Sequence, residues 1–440
     1  MYILGINAAY HDPAACLVND GRVVAAAEEE RFTRIKHGKR PIPFSTYELP
    51  FHAIDYCLQE GGIGLVDLDH IAYSYDPYVL LGRHRHDATI TLPLEPSAHP
   101  APQEWESGWD PLFLSSIVNA PRHLVGRVPQ HLQARFRGAR VNDASISPAH
   151  PGRGLTRPAP SLPRQALFQE THPIPKWHFV EHHVAHAASA FYPSPFERAA
   201  VLTLDGRGER AATTYSVGEG GQLKRIGQVN FPHSLGLLYE QVTGYLGFLH
   251  SSDEYKVMAL ASFGKPCYAD EFRRIVRIGR NGQFTVDPPR LQERFGPPRL
   301  KEEPLEQRHV DLAHSLQVVL EETVLQLVQW LYEATKADHL CVAGGVALNC
   351  VLNARLRGQG PFKQVWVQPA AGDAGTALGA ALWIDAQERN RGRHAERFYT
   401  MTEAFLGPAY TDEEIEQFLE WSKVPYRRLA NLPEEVASLL

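Results

Sequence analysis

The chain has 440 residues, of which 44% are hydrophobic and 21% charged, with a formal net charge of −6 and a pI near 6.4. This is ordinary globular composition, long enough for two to three domains and a sizeable core. It lacks the overall basic field of a protein that lives on nucleic-acid phosphates, so no nucleic-acid partner is expected. Five cysteines, Cys16, Cys57, Cys267, Cys341 and Cys350, form no CxxC pair, which reads as reduced thiols in a cytoplasmic protein. The start, MYILGINAAYHD, runs straight into a strand pattern with no basic or long apolar leader, so no membrane association is expected.

In chain order, Tyr2–Ile6 is apolar and β-rich, and Ala15–Val18 and Val23–Ala27 flank Asn19-Asp20-Gly21. Asp-Gly between apolar runs predicts a hairpin, because a type I′ turn needs positive φ. The turn after the first strand carries Asn7, His11 and Asp12. Ala199–Leu204 is a buried-strand pattern that meets Asp205-Gly206-Arg207-Gly208-Glu209 and continues into Ala211–Val217. Laid on the opening unit, it puts Asn7 near Asp205. That is either a weak internal repeat, as two homologous facing lobes would give, or a chance likeness of two strand–turn–strand segments. Between them, about 77–175 is rich in Pro, His and Arg. It reads as an insertion covering an acceptor site or as a solvated linker, with a helix or two in Trp105–Val128 and a mobile loop over Asp143–Pro163. Its Arg83-His84-Arg85-His86 cluster reads as a solvated turn.

The later half is regular α/β. Apolar residues at helical spacing predict a long buried helix over Val310–Thr335. Leu340–Ala343 is a strand, Gly344-Gly345 a turn and Ala347–Leu356 a helix. Val365–Gln368 is a strand, Gly372–Gly375 a turn and Thr376–Gln387 a helix. Beyond Arg391 the pattern shifts. Thr411-Asp412-Glu413-Glu414 is a capping box, and Asn431-Leu432-Pro433-Glu434 opens another helix. The chain stops inside that helix, which reads as a cut in a longer protein.

Several residues could carry chemistry. His182 and His186 are four apart, so on a helix they face one way, the geometry of two ligands on one metal. Two unrelated histidines on one helix face would look the same. His183 stands where a zinc protease would have Glu, so no general base is offered there. Asp373, between glycines at a strand-to-helix turn, is a candidate third ligand or a helix N-cap. Asp205 is a candidate fourth ligand or a plain turn residue. Two histidines with carboxylate suit Fe(II), and Zn(II) less distinctively. Gly344-Gly345 lets backbone N–H groups approach a phosphate, although no Walker loop follows. Lys256, amid apolar neighbours, points at a phosphate or snorkels at the surface.

Taken together, His11-Asp12, Glu28-Glu29-Glu30-Arg31-Phe32, Lys36-His37, His182-x3-His186, Leu204-Asp205-Gly206-Arg207-Gly208-Glu209, Glu254-Tyr255-Lys256-Val257-Met258, Gly344-Gly345-Val346-Ala347-Leu348-Asn349 and Gly372-Asp373-Ala374-Gly375 resemble the nodulation and antibiotic O-carbamoyltransferases. Apart from the insertion, the resemblance covers roughly residues 1–410. It implies an α/β, two-lobed fold of the actin-like ATPase and sugar-kinase superfamily, similar to the tRNA threonylcarbamoyltransferase. Residues 1–390 would be the transfer domain, with lobes at about 1–200 and 201–390. Residues 391–440 would be the linker and first helices of a second α/β domain, mostly absent here, that makes carbamoyladenylate from carbamoyl phosphate and ATP with Mg. The resemblance further implies a metal, Fe(II) or another divalent ion, on His182, His186, Asp373 and Asp205, and an adenylate held by Gly206, Gly208, Gly344, Gly345 and Asn349. Lys36 and Lys256 would lie near anionic groups, and His11, with His37 next in line, would take the proton of an acceptor hydroxyl. The acceptor would be a small natural product or sugar, and a homodimer is compatible with the family. Three other readings stay open: a tRNA-modifying relative, a sugar-kinase-like phosphotransferase and an actin-type nucleotide switch.

Overall fold

The Asp20-Gly21 pair turns the chain as its chemistry requires, with φ of 46° and 79°, and so joins strands β2 (Ala14–Asn19) and β3 (Arg22–Glu28). Strand β1 (Tyr2–Asn7) pairs antiparallel with β2 and parallel with β4 (His70–Tyr73), and β4 pairs parallel with β5 (Lys176–Phe179). The first sheet therefore has the order β3-β2-β1-β4-β5. In the computed structural model the described residues are 1–38, 49–81, 114, 117–121, 124, 175–389 and 399–440. Most of the stretch expected as an insertion over about 77–175, including the Arg83-His84-Arg85-His86 cluster, lies outside them.

A second sheet repeats the first. Strand β6 (Arg198–Leu204) pairs antiparallel with β7 (Ala211–Glu219), and β7 with β8 (Gln222–Asn230), through a Gly220-Gly221 turn with both φ positive. On its other side β6 pairs parallel with β11 (His339–Ala343), and β11 with β12 (Gln364–Val367). The order β12-β11-β6-β7-β8 is the same topology, so the fold is α/β with two lobes built alike. Asn7 and Asp205 stand at matching ends of their lobes' first strands. A small ribbon of β9 (Val276–Ile278) and β10 (Phe284–Val286) completes the strands described.

The helices follow from apolar spacing and from small residues. Helix α1 (Phe51–Glu60) buries Ala53, Ile54, Cys57 and Leu58 in the first lobe's core. Helix α2 (His182–Phe191) is almost wholly buried. In the second lobe lie α3 (Leu235–Tyr245), α4 (Glu254–Ala261), α5 (Gln307–Thr335) and α6 (Cys350–Gln359), while α7 (Ala374–Arg389) returns to pack on β1, β2 and β4 of the first sheet. On α5, Leu312, Leu316, Leu320, Val324, Leu327 and Leu331 are buried as the spacing predicts, each worth about 1.5–3 kcal/mol against exposure. The helix predicted over Ala347–Leu356 is instead a 3-10 turn, Gly345–Leu348, followed by α6, with Asn349 capping α6 by accepting from the Leu352 N–H.

Backbone-to-backbone approach seats α7 on the first sheet and joins it to α2, which packs on β6, β7 and β11 of the second. A Cβ on Gly5 of β1 would lie 1.9 Å from the carbonyl oxygen of Ala377 on α7, and one on Gly379 would lie 1.8 Å from that of Ala185 on α2. Only glycine lets these elements touch. Around them Ala185, Ala188, Ala377, Ala380 and Ala381 share one apolar cluster with Ile3, Cys16, Val201 and Cys341. Residues 1–406 form one compact unit and residues 407–440 another. In the latter the capping box forms as predicted. The Thr411 hydroxyl accepts from Glu414 N–H and the Glu414 carboxylate accepts from Thr411 N–H, at 3.2 and 2.7 Å. Among the described residues no helix is long and apolar enough to cross a membrane.

Candidate functional site

Because α2 turns once between them, His182 and His186 present their Nε2 atoms to one point, 3.2 Å apart. The β6 end brings Asp205 to that point and the turn before α7 brings Asp373. The Asp205 Oδ2 lies 3.2 Å from His182 Nε2 and 3.7 Å from His186 Nε2, and the Asp373 Oδ1 lies 3.5 and 3.4 Å from them. All four side chains are buried, and their ligand atoms fit within 4.8 Å. Asp373 does not cap its helix: neither carboxylate oxygen has a hydrogen-bond partner among the described residues. A fully buried carboxylate left so is costly unless a cation meets it. The donors therefore fit a single divalent ion. Asp205 does two things, since its Oδ1 also accepts from the Gly345 N–H at 2.8 Å.

The surroundings orient this cage. The His182 Nδ1–H donates to the Ser74 carbonyl at 3.3 Å, which leaves Nε2 as the ligand atom. Glu209 accepts from the backbone N–H of His182 and of Asp76, at 3.0 and 2.7 Å, and so ties the start of α2 to the first sheet. Burial raises Glu209 to about 7. Burial alone would pull His182 down, but Asp373 and Asp205 outweigh it and hold the imidazole well above its ordinary value. Burial would raise both carboxylates, yet the facing histidines hold Asp205 well below the usual range and lower Asp373 too. His183, donating from Nδ1 to the Thr203 hydroxyl at 2.7 Å, points away and is pushed down by burial.

On the other side of the cage stands the β1–β2 turn. Asn7 holds it, donating to the carbonyls of His11 and Asp12 at 2.9 Å each. Asp12, at φ 51°, accepts from Nδ1 of His11 at 2.9 Å and from Nδ1 of His37 at 2.7 Å. Each ring thereby keeps a proton on Nδ1. The His11 Nε2 is 3.8 Å from Asp373 Oδ2. Burial would lower His11, but Asp373 and Asp12 raise it to about 9. Burial would raise Asp12, but the two histidines lower it to about 2.

Cage and turn meet at a cleft of about 280 Å³, where His11, Asp12, His37, Asp205, Gly206, Gly345 and Asn349 share the lining with Tyr239, Glu240, Tyr255 and Met258. Of the other expected residues, Lys36 holds its ammonium 5.2 Å over the Tyr255 ring, and Lys256, also beside that ring, pairs with Asp253 at 2.9 Å. Gly344, at φ 99°, lets the β11 end pass β6, since a Cβ there would lie 2.2 Å from the Leu204 oxygen. Gly208 makes room for His183 in the same way. The Asn349 amide is engaged with Gln317, donating at 2.8 Å.

The sequence by itself assigns no role to Glu209 or to Tyr239 and Glu240 of α3, and marks Asp12 without its double partnership. Glu209 in the Asp-Gly-Arg-Gly-Glu run was visible as an acid near the cage. Tyr239 and Glu240 carry no local signal, because only the packing of α3 turns them to the cleft.

A family model described as the carbamoyltransferase N-terminus matches residues 2–85 and 161–382. An uncharacterized protein of Synechocystis is 39% identical over 437 residues, covering 95% of this chain and 62% of its own length. The nodulation protein NolNO of Sinorhizobium fredii is 35% identical over 422 residues, covering 94% of this chain and 51% of its own length. The chain thus spans about half to three-fifths of these relatives. The solved structure of HypF from T. kodakarensis is 11% identical with a TM-score of 0.45, over 88% of this chain and 48% of that one.

Proposed function

The chain belongs to the carbamoyltransferase family, matching its N-terminal module, and we propose that it moves a carbamoyl group from carbamoyladenylate to a hydroxyl of a small-molecule acceptor, a natural product or sugar. What supports the reading most is one juxtaposition: of four buried donors suited to a divalent ion, Asp373 also brings its Oδ2 within 3.8 Å of Nε2 of His11, an imidazole that lines the cleft. His182, His186, Asp205 and Asp373 would hold Fe(II), with Zn(II) the alternative. The ion, when bound, supplies Lewis-acid stabilisation of negative charge at the reacting carbonyl or phosphate.

The chain's own residues account for the rest. The cleft, walled by Tyr239, Tyr255, Met258 and Leu348, keeps water from a mixed anhydride that hydrolyses readily. The Gly206 and Gly345 backbones border the space for the adenylate, and Lys36 and Lys256 at the Tyr255 rim face its phosphate. The acceptor oxygen attacks the carbamoyl carbon, the bond from that carbon to the phosphate oxygen breaks, and AMP leaves. His11 Nε2 takes the hydroxyl proton, oriented by Asp12 on its other nitrogen. With Asp373 charge-compensated, the largest pull that raises His11 is gone, and the imidazole is free to act as a base. Carbamoyl phosphate and ATP, with Mg, would feed the adenylate-forming step in a domain of the kind the longer relatives have room for.

The test is direct. The Fe(II)-loaded chain is given preformed carbamoyladenylate and a panel of sugar acceptors, and acceptor-dependent AMP release and product mass are followed. Carbamoylated product from the adenylate, and none from carbamoyl phosphate plus ATP, is expected. AMP release unchanged by acceptor, or phosphorylated product from ATP, would overturn the proposal.

A further inference from the structure

Outside the cleft, three ligand-type side chains converge at the edge of the first sheet. Strands β4 and β5 are parallel neighbours with Ala72 opposite His178, so His70 and His178 lie diagonally on one face. Their rings meet: His70 Nδ1 is 2.9 Å from His178 Nε2. The carboxylate of Glu388, from the last turn of α7, joins them, and the three ligand atoms lie within 4.8 Å of one another. All three residues are half-buried, held by their surroundings yet within reach of solvent.

We propose that His70, His178 and Glu388 form a second divalent-metal site, of the Zn(II) type, independent of the cage. Two imidazoles with one carboxylate are a borderline donor set that selects Zn, Ni or Cu over Mg or Ca. Three protein ligands leave a position for water, as in open zinc sites. The ion ties the sheet's edge to the C-terminal end of α7. The helix places that end about 20 Å from Asp373, at 1.5 Å per residue, so the two sites do not compete for ligands. An opposing charge nearby is Lys176, 3.6 Å from Glu388; it is 57% exposed and long enough to turn into solvent. The rival account is a plain imidazole–imidazole hydrogen bond, with Glu388 held by its ion pair with Lys176.

Zinc titration of the full chain against a competing chelator separates the two accounts. Two equivalents are expected for the wild type, one for His178→Gln, one for Glu388→Gln, and one for Asp373→Asn, which spares the outer site. The conservative Glu388→Gln, checked by circular dichroism, guards against a misfolded His178 variant, and zinc should raise its melting temperature less than the wild type's. Equal zinc counts in the wild type and both outer variants would overturn the proposal. Loss of the cage equivalent bears only on the Asp373 reading, so the two failures are told apart.

Discussion

A single methyl group at Gly379 is expected to dismantle the cage from behind. In Gly379→Ala the new Cβ would lie 1.8 Å from the Ala185 carbonyl oxygen and 2.8 Å from the Ser189 nitrogen. A carbon and an oxygen rest about 3.4 Å apart, so α2 and α7 must part by roughly 1.5 Å. Those two helices carry His182, His186 and, one residue before α7, Asp373. The gap from His186 to Asp373, now 3.4 Å, would open beyond what one ion with bonds of about 2 Å can bridge. Overpacking of this kind costs about 1–3 kcal/mol, a melting-point drop on the order of 1–4 °C for a unit of this size. Gly358→Ala is the control: it lies on α6 with nothing within 4 Å of its Cβ, so it is expected to be neutral or to gain about 0.5–1 kcal/mol. Thermal melts and Fe(II) or Zn(II) binding of both variants are the assay. If Gly379→Ala melts with the wild type and binds metal as tightly, the helices do not meet as described and the reasoning fails.

Other outcomes follow from the same geometry. His186→Ala or Asp373→Asn is expected to remove stoichiometric metal from the cage, read by elemental analysis after purification in the presence of Fe(II), while the far-ultraviolet circular dichroism stays that of the folded chain. In metal-free protein, His11 raised from 6.5 to about 9 contributes stability that is complete below pH 6.5 and lost as pH rises through 9. The raise bounds the contribution at about 3 kcal/mol, nearer 1–2 kcal/mol with close to a third of the side chain open to solvent. Urea unfolding free energies at pH 6 and pH 9.5 should differ by that much more in the wild type than in His11→Gln, and a variant showing the same pH slope would contradict the assignment. Of five thiols, Cys267 and Cys350 are exposed while Cys16, Cys57 and Cys341 are buried, and burial pushes Cys57 up to about 12. Two fast-reacting thiols are therefore expected by disulfide-exchange titration in the native protein and five in urea. A third fast thiol would mean that one of the three buried sites opens.

Much of this was legible in the residues because local rules decide it. Asp20-Gly21 dictates its hairpin, the spacing along α5 dictates its buried face, and Thr411 with Glu414 dictates a cap. The i, i+4 pair His182 and His186 could be read as ligands because one helical turn fixes their relation. Asp205 and Asp373 could be singled out as acids at glycine-flanked turns and offered as further ligands of the same ion, although no local rule sets them side by side. Their meeting depends on approaches such as Gly5 to Ala377 and Gly379 to Ala185, which no window of sequence displays. Asp12 gave no hint that it would serve both its neighbour His11 and His37, 25 positions further on, and Glu240 reaches the cleft only because α3 packs with its other face inward. The start of α6 was misplaced because Asn349, not the glycine turn, supplies the cap.

The matching ends of β1 and β6 also say something about origins. Two sheets of identical strand order are what the copying and fusion of one half-sized ancestor would leave. At the equivalent slot one copy now has an amide, Asn7, spent on bracing its own loop, and the other has an acid, Asp205, turned toward the cage. A symmetric pair of separate halves must carry the same residue in both places, and two acids there would have faced each other across the groove. Once both halves sit in one gene they can drift apart at a single position, so that one becomes scaffold while the other keeps the reactive role.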